Sequence, residues 1–161
     1  MYSALRITSM TLALVFLTWL TGASANLVPG ASTPLIAGQN TAIGQVRCEL
    51  SPNSTTAGSC TATTTGGWCM ANGHLYVSAS APTSMAPGQF PFKLQPTGCV
   101  TTLTIPFTSV PVCDGKSTIT VAFHVEARLP SAGREETGWG QGKPTGFNWS
   151  MANTLLCPFD T

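Results

Sequence analysis

The stretch STITVAFHVEARL, Ser117 to Leu129, decides how the chain is read. Ile119, Val121, Phe123, Val125, Ala127 and Leu129 fall on one parity, and Thr118, Thr120, Ala122, His124, Glu126 and Arg128 on the other. Successive side chains of a strand point to opposite faces, so this is an apolar face backed by a polar one. It is long for a strand, which marks it as a central one.

Working outward, the same two-residue period recurs. In Thr41–Leu50, Val46, Cys48 and Leu50 alternate with Arg47 and Glu49. Ser51-Pro52-Asn53 then starts a turn, because proline presets φ and asparagine bonds its own backbone. Ser59–Thr65 is a threonine-rich return strand that can set Cys60 opposite Cys48. Branching at Cβ suits threonine to strands. His74–Ser80, Gln89–Gln95, Cys99–Phe107 and Phe147–Leu156 continue the pattern, with Pro91 placing the second of these at a sheet edge. Asp114-Gly115 is a turn signal leading into the long strand. Asn26–Asn40 reads as an extended leader or short edge strand. Pro130–Gly146 carries Gly133, Gly138, Gly140, Gly142, Gly146 and Pro144. That density of glycine predicts a long surface loop, the kind that often carries function. No amphipathic helix or repeat is present. Short strands between frequent turns predict an all-β fold, an antiparallel β-sandwich of Ig-like or jelly-roll-like type.

The N-terminal segment is expected to lie outside that fold. Arg6 gives a basic start, Ile7–Leu20 is mostly apolar, and Ala23-Ser24-Ala25 offers the small residues that signal peptidase needs. Residues 1–25 therefore read as a secretory signal peptide cut before Asn26, with 26–161 as a single domain. The apolar run falls short of the roughly 20 residues that span a bilayer. The polar end Cys157–Thr161 does not resemble a lipid-anchor signal. The expected location is extracellular, without a membrane anchor.

Charged residues make up 8% of the chain, against about 25% in a typical soluble domain. From Asn26 onward, three lysines and three arginines balance two aspartates and four glutamates. No basic patch can concentrate phosphates, so nonspecific nucleic-acid binding has no electrostatic support. Threonine, serine, glycine and asparagine must keep the surface wet.

Six cysteines, Cys48, Cys60, Cys69, Cys99, Cys113 and Cys157, follow the signal segment. An even count in an exported chain predicts three disulfides. Cys48 with Cys60 and Cys99 with Cys113 each bracket a strand-turn-strand pattern, which leaves Cys69 for Cys157. No CxxC pair occurs, and His74 and His124 lack ligand spacing, so neither a metal nor a cofactor is expected. The Gly138–Gly142 run lacks the GKS or GKT tail of a phosphate loop, and no GxSxG is present.

Two constellations could carry chemistry. His124, Glu126 and Arg128 stand about 7 Å apart in a row on the polar face of the long strand. A base, an acid and a cation so placed could cleave a phosphodiester, as a small secreted ribonuclease would. The competing reading is a solvent-facing strand whose charges pair with its neighbours. The second is aromatic: Trp139 between Gly138 and Gly140, then Phe147 and Trp149. An indole between glycines is poorly shielded by its neighbours and offers a platform for sugar rings. Alternatively these rings pack into the core. Asn53-Ser54-Thr55 and Asn148-Trp149-Ser150 fit the N-glycosylation pattern at Asn53 and Asn148.

With so few titratable side chains, catalysis has little to build on. The expected function is a secreted, non-enzymatic interaction or effector-like protein that meets an extracellular protein or glycan through its surface. A carbohydrate- or cell-wall-binding module is the alternative, and a small secreted ribonuclease-like hydrolase the third.

Overall fold

The computed structural model describes residues 30–110, 118–145 and 151–156. They form an all-β, antiparallel fold. In chain order the strands are β1 (Ser32–Ala37), β2 (Thr41–Leu50), β3 (Gly58–Thr64), β4 (Cys69–Ser78), β5 (Phe92–Leu94), β6 (Thr102–Phe107), β7 (Thr118–Leu129), β8 (Arg134–Gly140), β9 (Lys143–Pro144) and β10 (Met151–Leu156). Two single 3-10 turns, Pro87–Gln89 and Pro130–Ala132, are the helical elements among the described residues.

Eight strands hydrogen-bond in the order β5-β4-β7-β8-β1-β2-β3-β6, and β10 adds to β7. Where two packed sheets are expected from the pattern, the hydrogen bonding runs through one sheet. That sheet curls until its ends meet, nearly as a barrel. Met70 of β4 bridges Val100, just ahead of β6, with N–O distances of 2.7 and 3.0 Å. Gly73 lets the ends close. A Cβ there would lie 2.4 Å from Leu103 Cδ2 and 2.9 Å from Ile105 Cδ1, so the absence of a side chain lets β6 pack over β4.

The interior is the apolar parity read from the sequence. Ile119, Val121, Phe123, Val125 and Ala127 of β7 are buried with Leu35, Ile43, Val46, Ala62, Leu75, Leu103, Ile105 and Phe107. Full burial of each large apolar side chain contributes about 1.5–3 kcal/mol, which makes this the main source of stability.

Two stretches differ from their sequence reading. The expected loop at Pro130–Gly146 is instead mostly strand. Pro130–Ala132 makes a tight turn, Gly133 takes a left-handed conformation (φ +61°), and β8 returns along β7 from Leu129↔Arg134 to His124↔Trp139. Gly138 and Gly140 lie on the inner face, and at Gly138 the interior has no space for a larger residue. A Cβ on Gly138 would sit 2.7 Å from Val125 Cγ2. The segment expected as a leader or edge strand contains β1, which lies between β2 and β8 inside the sheet.

The disulfides also need one correction. Cys48 pairs with Cys60, at directly opposite positions of the β2–β3 hairpin. Cys69, however, pairs with Cys99, so the expected Cys99–Cys113 and Cys69–Cys157 bridges do not form. The physical reason is the sheet closure: the Met70–Val100 bridge brings their preceding cysteines together. Cys113 and Cys157 lie outside the described residues. Disulfides are typical of oxidising, extracellular compartments. Among the described residues no helix is long and apolar enough to cross a membrane.

Candidate functional site

The outer face of β4, β7 and β8 gathers the titratable residues of interest. Register sets His124 of β7 opposite His74 of β4 and Trp139 of β8. The next outward row is Asn72, Glu126 and Thr137, and beyond it Arg128 faces Glu135. The row predicted on β7 therefore exists, but its three members have different surroundings.

His124 is only 4% exposed. The segment between β4 and β5 folds across this part of the outer face and inserts Met85 and Phe90. These bury with Ala122 and Trp139, and Tyr76 packs against them. Trp139 stands edge-on to His124 with centroids 4.8 Å apart and edge-on to Phe90 at 6.1 Å. Trp139 is 5% exposed, so of the two readings of this indole, open platform or packed ring, the packed one describes it. The flanking glycines point inward and leave its shielding to partners distant in sequence.

The Nδ1 atoms of His74 and His124 lie 3.2 Å apart. A hydrogen bond between two such nitrogens needs one ring to donate and the other to accept. Burial pushes His124 down to a pKa of about 3, with the neighbouring His74 adding to the shift. Burial lowers His74 as well; Glu126 opposes that shift and Lys93 reinforces it. At neutral pH both rings are uncharged.

Glu126 and Arg128 are exposed. Asn72 Nδ2 donates to Glu126 Oε1 at 3.5 Å, and Arg128 Nε pairs with Glu135 Oε1 at 3.0 Å. An exposed pair of this kind contributes about 0–1 kcal/mol. A surface cavity of about 300 Å³ is lined by Glu126, Ala127, Arg128, Glu135, Glu136 and Thr137. It unites the acid and the cation of the predicted trio but does not include the histidine. Of its three carboxylates, Glu135 is paired with Arg128 and Glu136 with Arg134 at 3.1 Å, so the charges around the cavity are committed to one another.

Of the other candidates, Asn53 is exposed at the tip of the β2–β3 connection with φ +59°. Ser54 Oγ organises that turn by accepting from the backbone N–H of Ala57 at 2.9 Å and of Thr56 at 3.2 Å. Phe147 and Asn148 lie outside the described residues. Sequence reading missed the pairing of His74 with His124 and the cover formed by Met85 and Phe90. One signal was present: two large apolar residues in an otherwise proline- and serine-rich connection. Among the described residues no group of three or more His, Cys, Asp or Glu side chains is placed to hold a metal ion.

The fold and this face define a class: a small, disulfide-stapled, all-β protein with one curled antiparallel sheet. No family model matches the chain, and no curated protein or solved structure matches it either.

Proposed function

We propose that the protein is a secreted, non-enzymatic interaction protein that works through its surface outside the cell. In this reading residues 1–25 are removed on export. The domain 26–161 then acts as one stapled unit, with the two halves of the curled sheet packed like the layers of a sandwich. The observation that carries the reading is the closure of the histidine site. His124 is covered by Trp139 and the Met85–Phe90 segment and is bonded to His74, while Arg128 is engaged by Glu135. A base, an acid and a cation cannot meet a substrate together in that arrangement.

A surface of the opposite character supports the same reading. Outward residues of β1, β2, β3 and β6 align in rows: Pro34, Gln45, Thr63 and Thr102, then Ser32, Arg47, Thr61 and Thr104. Thr61 and Thr104 share a hydroxyl hydrogen bond at 2.9 Å, and Arg47 is neutralised by Glu49. This polar, charge-balanced sheet face takes over the interaction role expected of the Pro130–Gly146 loop. The carbohydrate-binding alternative loses its aromatic platform at Trp139.

Incubation of the oxidised mature protein with RNA between pH 4 and 8 tests the reading, alongside a pull-down on insoluble polysaccharides. No cleavage and no polysaccharide retention are expected. RNA cleavage that disappears in His124→Ala would overturn the non-enzymatic assignment. Retention lost on Trp139→Ala would transfer the function to sugar binding.

A further inference from the structure

We propose that His74 and His124 together form a binding site for a borderline divalent cation, Cu2+ in preference to Zn2+, on the outer face of the β4–β7 pair. The inference goes beyond the interaction role and stands or falls separately from it. The two histidines are fifty residues apart in sequence, and only strand register makes them neighbours. Their Nδ1 atoms face each other at 3.2 Å. Two imidazole nitrogens bound at about 2.0–2.1 Å stand about 3.3–3.4 Å apart on a tetrahedral ion and about 2.8–3.0 Å apart at adjacent positions of a tetragonal Cu2+. The observed 3.2 Å lies between the two, so a shift of a few tenths of an ångström fits the rings to either ion.

Without a metal, the gap between the two nitrogens holds a single proton, donated by one ring to the other. A cation takes that proton's place: the donor ring gives up its Nδ1 proton and takes one on Nε2 instead, so both rings stay neutral and each offers an Nδ1 lone pair. Burial keeps both rings neutral at pH 7, the form that coordinates a metal. Two imidazoles leave further coordination positions open. Glu126, on the same face and held by Asn72, acts electrostatically on His74 and favours a cation there without being a ligand. Water completes the set. Lys93, whose charge also acts on His74, donates to the carbonyl of Gly88 at 2.6 Å and is held there. Imidazole donors suit copper and zinc, and the general order of stability among divalent ions places Cu2+ first. With only two nitrogens from the protein, the ion is exchangeable rather than permanently resident.

Trp139 provides the readout, because its ring lies 4.8 Å from that of His124 and bound Cu2+ quenches indole emission at such a distance. The experiment titrates Cu2+ into chelator-stripped, oxidised mature protein while following tryptophan emission and the copper paramagnetic resonance spectrum. One equivalent should saturate both signals, and the spectrum should show two imidazole nitrogens. Trp139→Phe should remove the quench and keep the spectrum. His74→Asn, at a position 9% exposed, should weaken binding at least tenfold. A second measurement needs no variant: Zn2+ should shift the imidazole nitrogen resonances of both His74 and His124. The proposal is overturned by lack of saturable one-equivalent binding, by affinity unchanged in a folded His74→Asn, or by zinc leaving both resonances in place.

Discussion

Gly138→Ala should destabilise this protein, although alanine is ordinarily a harmless or helpful replacement for glycine. The added Cβ would lie 2.7 Å from Val125 Cγ2, and Leu35 Cδ1 and the Ile36 carbonyl stand only 3.7 Å away. Val125 is completely buried and cannot swing into solvent. Forcing an extra methyl group into such a core costs about 1–3 kcal/mol. With a urea dependence of about 1–3 kcal/mol per molar, a 2 kcal/mol loss lowers the unfolding midpoint by about 1 M. Val125→Ala alone should cost about 2–3 kcal/mol through lost burial and the cavity it leaves. In the double variant the new methyl group occupies space vacated by valine, so the combined loss should be at least 1 kcal/mol smaller than the sum of the single losses. An open loop at this position predicts the opposite. Gly138→Ala would then be neutral, or stabilising by about 0.4–1 kcal/mol because it restricts the unfolded chain. Equilibrium urea unfolding of the four proteins decides between them. A change within about 0.5 kcal/mol for Gly138→Ala, or strict additivity, would refute the packing argument.

The remaining predictions concern acidity, sulfur and surface charge. Native His124 has a pKa of about 3 against an ordinary value of 6.5, so below pH 6.5 the unfolded chain binds a proton that the folded chain does not. Stability should therefore be full above that pH and fall as acid is added, by about 2 kcal/mol between pH 7 and pH 5. Urea melts in a chelating buffer should show this slope, with His74 acting in the same direction, and a His124→Gln profile as steep as the wild type would contradict it. Replacing Cys69 and Cys99 by serine opens a loop spanning 30 residues and should cost about 3–4 kcal/mol. Non-reducing peptide mapping should recover Cys48–Cys60 and Cys69–Cys99 peptides; recovery of Cys99 joined to Cys113 would reject the assignment. Arg128→Ala removes an exposed pair with Glu135 and should change stability by less than about 1 kcal/mol, so a larger loss would show that the pair matters more than its exposure implies.

The amino-acid order by itself determined most of the strands and which way their side chains face, though not β8, whose glycines read as a loop. Alternation is a property of a single strand, and so β2 and β7 follow the expected bounds closely, with Val121, Phe123 and Val125 inward and Glu126 and Arg128 outward. The Cys48–Cys60 bridge was legible for a related reason: a short hairpin connection ties its register to local turn chemistry. Partner choice between distant strands is not local. It depends on how the whole sheet curls, and no residue-level period records that. The tertiary structure alone brought Cys69 to Cys99, His74 to His124, and Phe90 over Trp139. It also gave Gly138 its role. A glycine in the sequence signals freedom of the backbone, whereas here its value is the volume it leaves for Val125, and only the packed interior sets that requirement.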